Sequence, residues 1–185
     1  MAWANVHPFP ARMASDIALA KVQDLRRNSV VLDPMMGSGT VLLAASSAGH
    51  HCIGFDLDPL SILISKVATS PLDNKRFNVL LELLLKSSNR IDLRQAKLPW
   101  VDAETKNYIE YWFAPEQRRA LTRLALVLHR SPTFSDGSPE ANAIRLAVSK
   151  IIITKETGAS LARDISHSRP HIRAPLAAYC ATSGR

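Results

Sequence analysis

The residues best suited to chemistry lie in one short run, Val30-Val31-Leu32-Asp33-Pro34-Met35-Met36-Gly37-Ser38-Gly39-Thr40, followed at once by Val41-Leu42-Leu43-Ala44-Ala45. It reads as a buried strand, a glycine loop and a helix start. An acid at a strand end, followed by glycines that let the backbone approach a ligand, is how an open α/β sheet builds a crevice at its carboxyl edge. A second acid follows 23 positions after Asp33, in Cys52-Ile53-Gly54-Phe55-Asp56-Leu57-Asp58-Pro59. A carboxylate at the end of the next strand is placed to accept hydrogen bonds from a ribose. Asp56 and Asp58 compete for that role. Asp56 is favoured because it stands at the strand end, whereas Asp58, just before Pro59, can cap the following helix. Glycine loops at helix starts also bind phosphate, but no Gly-Lys-Ser/Thr occurs in the chain, which argues against a nucleotide P-loop.

The wording of these segments is narrower than their spacing. Asp33-Pro34-Met35-Met36-Gly37-Ser38-Gly39-Thr40 resembles the Asp-Pro-Phe-x-Gly-x-Gly-Thr signature of the DNA amino-methyltransferases, which methylate adenine N6 or cytosine N4; Met35 stands where phenylalanine is usual. His7-Pro8-Phe9-Pro10-Ala11-Arg12 is similar to the short motif that precedes the family's first strand, and Gly54-Phe55-Asp56-Leu57-Asp58-Pro59 is similar to its Gly-x-Asp-x-x-Pro segment. Three motifs in order cover about the first 70 residues. Tyr111 to Pro115 and Ser160 to His171 also resemble members of one subgroup, less diagnostically.

The resemblance implies a Rossmann-like, S-adenosylmethionine-dependent methyltransferase fold of the α/β class. Its cofactor would meet Asp33, Pro34, Gly37, Ser38, Gly39 and Thr40 at the methionine end, Asp56 at the ribose, and His7 and Phe9 from the preceding motif. His7, Phe9 and Arg12 can equally be a surface arm. In the family a flipped base presents its exocyclic nitrogen to the cofactor's methyl group, held by an Asp/Asn/Ser-Pro-Pro-aromatic tetrapeptide. No Pro-Pro pair occurs in these 185 residues. A truncated or split methyltransferase is therefore expected, with DNA as partner. The alternatives are a non-catalytic module that binds the cofactor or nucleic acid, one half of a two-chain enzyme whose second chain carries the tetrapeptide, and the product of a broken gene. No residue of this chain is assigned a catalytic role.

The elements that must position these groups follow from hydrophobic spacing. Helices are expected over Asp16 to Leu25 with Ser15 as cap, Thr40 to Ala48 ended by Gly49, and Ser61 to Ala68. Strands are expected over Ser29 to Leu32 and His51 to Phe55. Beyond residue 72 the pattern is helical: Lys75 to Leu98, with Val79, Leu80, Leu83 and Leu84 on one side, then Tyr108 to Leu128, and Glu140 to Thr154. Trp112 and Phe113 read as core. Residues 131 to 139 form a loop. The expected organisation is thus a cofactor-binding half over 1–72, a helical insertion over 73–156 and a basic tail over 157–185.

Lys and Arg number 23 against 16 Asp and Glu, a net charge of +7. Seven basic and two acidic residues fall in 141–185, against sixteen and fourteen in 1–140, so attraction to a polyanion is concentrated near the end. Arg163, Arg169 and Arg173 are the candidate phosphate contacts. His167 and His171 have helical spacing but no further ligand nearby, which disfavours zinc. Cys52 and Cys180 stand far apart, with no export signal visible, and read as reduced thiols in a cytoplasmic protein.

Overall fold

The structure is a computed structural model that describes His7, residues 13–96 and 98–152, and Ala159. It divides into two compact units, Met1–Leu72 and Asp73–Arg185.

In the first unit, β1 (Val30–Asp33) and β2 (His51–Gly54) pair in parallel, Val30 opposite His51 and Asp33 opposite Gly54. Around them lie α1 (Ser15–Gln23), α2 (Thr40–Ser47) and α3 (Pro59–Thr69). Alternation along each strand sends Val31 and Cys52 to one face, where they pack on Ala18, Val22, Ala44 and Ala45 of α1 and α2. The opposite face carries Leu32, 58% exposed, and Ile53, 47% exposed. Parallel sheets ordinarily bury both faces. Among the described residues the result is a mixed, helix-rich α/β arrangement with a two-stranded parallel sheet, which is less than a full Rossmann fold.

Local chemistry sets the element ends. Gly49 takes a left-handed φ of 79° after α2. Its N–H reaches the Ser46 carbonyl at 3.0 Å, and the His50 N–H reaches that of Ala45 at 2.9 Å, which closes the helix by the double bond of a Schellman motif. Ser15 lies inside α1 rather than capping it: the cap position is Ala14, without a side-chain bond, and the Ser15 hydroxyl turns to Asp16. Pro59 opens α3, where a missing N–H costs nothing.

The second unit is helical, with α4 (Asn74–Asn89), α5 (Ala103–Trp112), α6 (Pro115–Arg130) and α7 (Pro139–Ile152). Its core is Leu80, Leu84, Val127, Phe134 and Ile144. Four expectations change here. The helix expected to reach Leu98 ends at Asn89. The stripe expected on α4 is narrower, since Leu80 and Leu84 are buried but Val79 and Leu83 point outward. The helix expected over Tyr108 to Leu128 is two, broken at Phe113-Ala114, because a residue before proline is pushed out of the α region and Ala114 sits at ψ 155°. Trp112 and Phe113 are half-buried and α5 has no buried residue, so neither is a core side chain. The loop after Arg130 holds a short 3-10 turn that buries Phe134. No helix among the described residues is long and apolar enough to cross a membrane.

Candidate functional site

The loop between β1 and α2 extends the sheet's own ladder. Phe55 N–H donates to the Asp33 carbonyl at 2.9 Å, and Met36 N–H donates to the Phe55 carbonyl at 3.0 Å. Pairing therefore runs past both strand ends and holds the two acidic segments side by side. Asp33, half-buried, accepts the Met35 N–H at 3.1 Å and so braces its own turn. Met36 folds inward and is buried, while Met35 stands 83% exposed. Gly54 lets Met36 and Leu42 pack close against the strand end, since a Cβ there would make both side chains shift.

Gly37 and Gly39 both adopt positive φ, at 49° and 77°. Gly39 is the N-cap of α2 and has no side chain to offer, so the first N–H groups of the helix are left to be satisfied from outside it. Ser38 and Thr40 are half-buried, with their hydroxyls 3.4 Å apart. Left-handed residues next to a helix start form a concavity of N–H groups suited to a carboxylate or phosphate oxygen.

Asp56 joins this loop directly. Its Oδ2 accepts the Gly37 N–H at 2.8 Å and its Oδ1 accepts the Asp58 N–H at 2.9 Å. These backbone donors, from Asp58 first and then Gly37, hold its carboxyl below the usual aspartate range, so it is an anion at neutral pH. Each oxygen retains a further acceptor position. Asp58 does something else: its Oδ1 accepts the Leu60 N–H at 2.9 Å as the cap of α3. Phe55 and Leu57 flank Asp56 as exposed apolar side chains, Leu57 fully so.

Of the other sequence candidates, Pro34 is exposed in the loop and His7 is buried. Phe9, Arg12, Arg163, Arg169 and Arg173 lie outside the described residues, as do His167, His171 and Cys180. Among the described residues no group of His, Cys, Asp and Glu is placed to hold a metal ion. Burial pushes the Cys52 thiol up, away from a reactive thiolate.

Sequence reading passed over Ser65. It is buried on α3, and its Oγ donates to the Gly37 carbonyl at 3.2 Å. The available signal was a serine, four residues after another at Ser61, within a largely apolar helix; both are buried.

Residues 5–66 match the family model described as DNA methylase. That segment is similar to the DNA methylase family. Over 125 residues, 64% of its length, the chain is 31% identical to the type II methyltransferase M.MjaII of Methanocaldococcus jannaschii and covers 23% of it. Over 76 residues, 39% of its length, it is 33% identical to the type II methyltransferase M.MvaI of Kocuria varians and covers 17% of that protein. The chain thus spans less than a quarter of either relative. No solved structure matches it. The DNA methylase match contains the loop, Asp56 and Ser65 together.

Proposed function

We propose that residues 1–72 bind S-adenosylmethionine as the cofactor-binding part of a site-specific DNA amino-methyltransferase. The observation that carries this reading is the direct bond from Asp56 to the Gly37 N–H, which unites the glycine loop and the strand-end acid in one site. The donor set fits the cofactor. The N–H groups at the start of α2 suit the methionine carboxylate. The anionic Asp56 suits the ribose hydroxyls. The exposed side chains of Met35, Phe55 and Leu57 offer apolar cover for an adenine ring. Bound there, S-adenosylmethionine supplies an activated methyl group. Pro34 and His7 would lie near the same ligand, with Phe9 from the preceding motif.

Methyl transfer also requires an exocyclic amine to be held in line with that methyl group, and orientation of this kind is worth roughly 7–11 kcal/mol of barrier. No Pro-Pro-aromatic tetrapeptide occurs in these 185 residues to take that task. The reading is thus a cofactor-binding piece whose base-holding Pro-Pro-aromatic loop lies outside these 185 residues, with DNA as the substrate of the complete enzyme. Incubation with tritiated S-adenosylmethionine and mixed-sequence DNA separates the two halves of this statement. The chain alone is expected to retain the cofactor on a filter and to leave the DNA unlabelled. Labelled DNA that survives repurification of the protein and is lost in Asp33→Ala would overturn the division of labour. Failure to retain the cofactor would overturn the reading itself.

A further inference from the structure

The peptide groups around Gly37 are held from two sides by different elements. From the end of β2, Asp56 accepts the Gly37 N–H at 2.8 Å. From α3, the Ser65 hydroxyl donates to the Gly37 carbonyl at 3.2 Å. Ser65 is 3% exposed. It also fills the space that a side chain on Gly39 would need, because a Cβ there would lie 2.6 Å from Ser65 Oγ and 2.9 Å from Ser65 Cβ. One serine thus touches both glycines, bonding the first and packing under the second.

The carbonyl of Gly37 shares a peptide plane with the N–H of Ser38, and in a trans peptide the two point in opposite directions. Drawing the carbonyl toward α3 therefore turns the Ser38 N–H away from α3. If the peptide flipped, that donor would face the helix and the concavity before Thr40 would lose an N–H. Gly37 has no side chain to resist such a flip. The bond from the Ser65 hydroxyl supplies that resistance, while Asp56 holds the preceding Met36–Gly37 peptide.

We infer that Ser65 is a positioning residue of the ligand loop, which fixes the Gly37–Ser38 peptide so that the Ser38 N–H is presented to an anionic group of the ligand. The inference deepens the cofactor reading above and rests on it for the ligand, the methionine carboxylate of S-adenosylmethionine. The orientation of the peptide stands without it.

Two measurements on the full chain separate these levels. The first is amide hydrogen exchange without ligand. Ser65→Ala keeps the Cβ beneath Gly39 and deletes only the hydroxyl, and is expected to speed exchange at Gly37 and Gly39 by about tenfold, the scale of one lost hydrogen bond. Thr69→Ala is the control. Thr69 bonds back to the Ser65 carbonyl within α3 and has no bond to the loop, so its loss should leave those two amides unchanged. Ser65→Cys, similar in size but a weaker donor, should fall between wild type and alanine, and it replaces alanine if that variant does not fold. Equal exchange in wild type and the Ser65 variant overturns the inference. The second measurement is the Ser38 amide proton shift on addition of S-adenosylmethionine. It should move in the wild type and in Thr69→Ala, and by less than half as much in Ser65→Ala, whose dissociation constant rises several-fold. The same shift and affinity in all three would overturn the role of Ser65. A wild type that binds no S-adenosylmethionine would instead overturn the cofactor reading, and the exchange data would still decide whether Ser65 holds the peptide.

Discussion

Asp56 and Asp58 are chemically alike and two residues apart, yet the backbone gives them separate work. Asp58 spends its carboxylate on the Leu60 N–H at the start of α3, while Asp56 reaches across to Gly37. Sequence reading favoured Asp56 for the ribose on position alone; the structure places it against the glycine loop through the Gly37 N–H. Because the folded chain holds the Asp56 carboxyl below its ordinary value, this contribution to stability is complete above the unfolded aspartate range, about 3.9. It is lost as pH falls through the lower folded value, since the unfolded chain then takes up a proton before the folded one. The Gly37 amide resonance should accordingly titrate with a midpoint below the ordinary aspartate value of about 3.9. A midpoint at or above that value would show that the bond does not form in solution. Gly39 offers a second test at this scale. Gly39→Ala combines an unfavourable φ of 77° with a collision against Ser65, so melting should show a loss of more than about 1 kcal/mol, together with weakened ligand binding. The need for glycine was legible from the sequence. Its neighbour was not, because the approach of Ser65, 26 residues later, is a product of packing.

Elements governed by nearest neighbours were legible, and those governed by packing were less so. The strand-loop-helix order over residues 29–48 is written in local chemistry, with Gly49 closing α2 and Pro59 opening α3. The helical unit was harder, because Val79, Leu80, Leu83 and Leu84 are all apolar and their spacing alone does not say which pair faces inward. The structure chooses Leu80 and Leu84, which pack with Val127, Phe134 and Ile144. In urea denaturation Leu84→Ala should therefore cost about 2–5 kcal/mol, whereas Val79→Ala should stay within roughly 0.5 kcal/mol of the wild type. The reverse order would exchange the buried and exposed sides of α4. Asp73 begins the same helix by accepting the Lys75 and Arg76 N–H groups, while its own N–H donates to buried Glu140 of α7 at 3.0 Å. Loss of that cap in Asp73→Ala should cost about 1 kcal/mol in the same assay. Glu140 in turn meets Arg76 at 3.5 Å, so a side chain within the core-facing side of α7 has a charged partner.

At the scale of the whole molecule, the two-stranded sheet is where the sequence motifs exceed the structure. Asp33, the glycines and Asp56 are brought together on one sheet edge, but Leu32 and Ile53 remain uncovered among the described residues. A chain that spans 23% and 17% of its two relatives accounts for only part of their length. The charge distribution makes a separate statement. Seven basic residues against two acidic ones over 141–185 should produce weak, sequence-independent DNA binding that falls steeply with salt. Removing residues 157–185, with Arg163, Arg169 and Arg173, should reduce the slope of affinity against salt; an unchanged slope would place the contacts on other residues. The central claim, that the loop at Asp33 to Thr40 and the acid at Asp56 form an S-adenosylmethionine site, is tested most directly by calorimetry. Wild type and Asp58→Ala are expected to bind S-adenosylmethionine with similar affinity, whereas Asp56→Ala should bind it about tenfold or more weakly, having lost a charged acceptor for the ribose. Absence of binding by the wild type, or equal affinity in Asp56→Ala, would contradict the account.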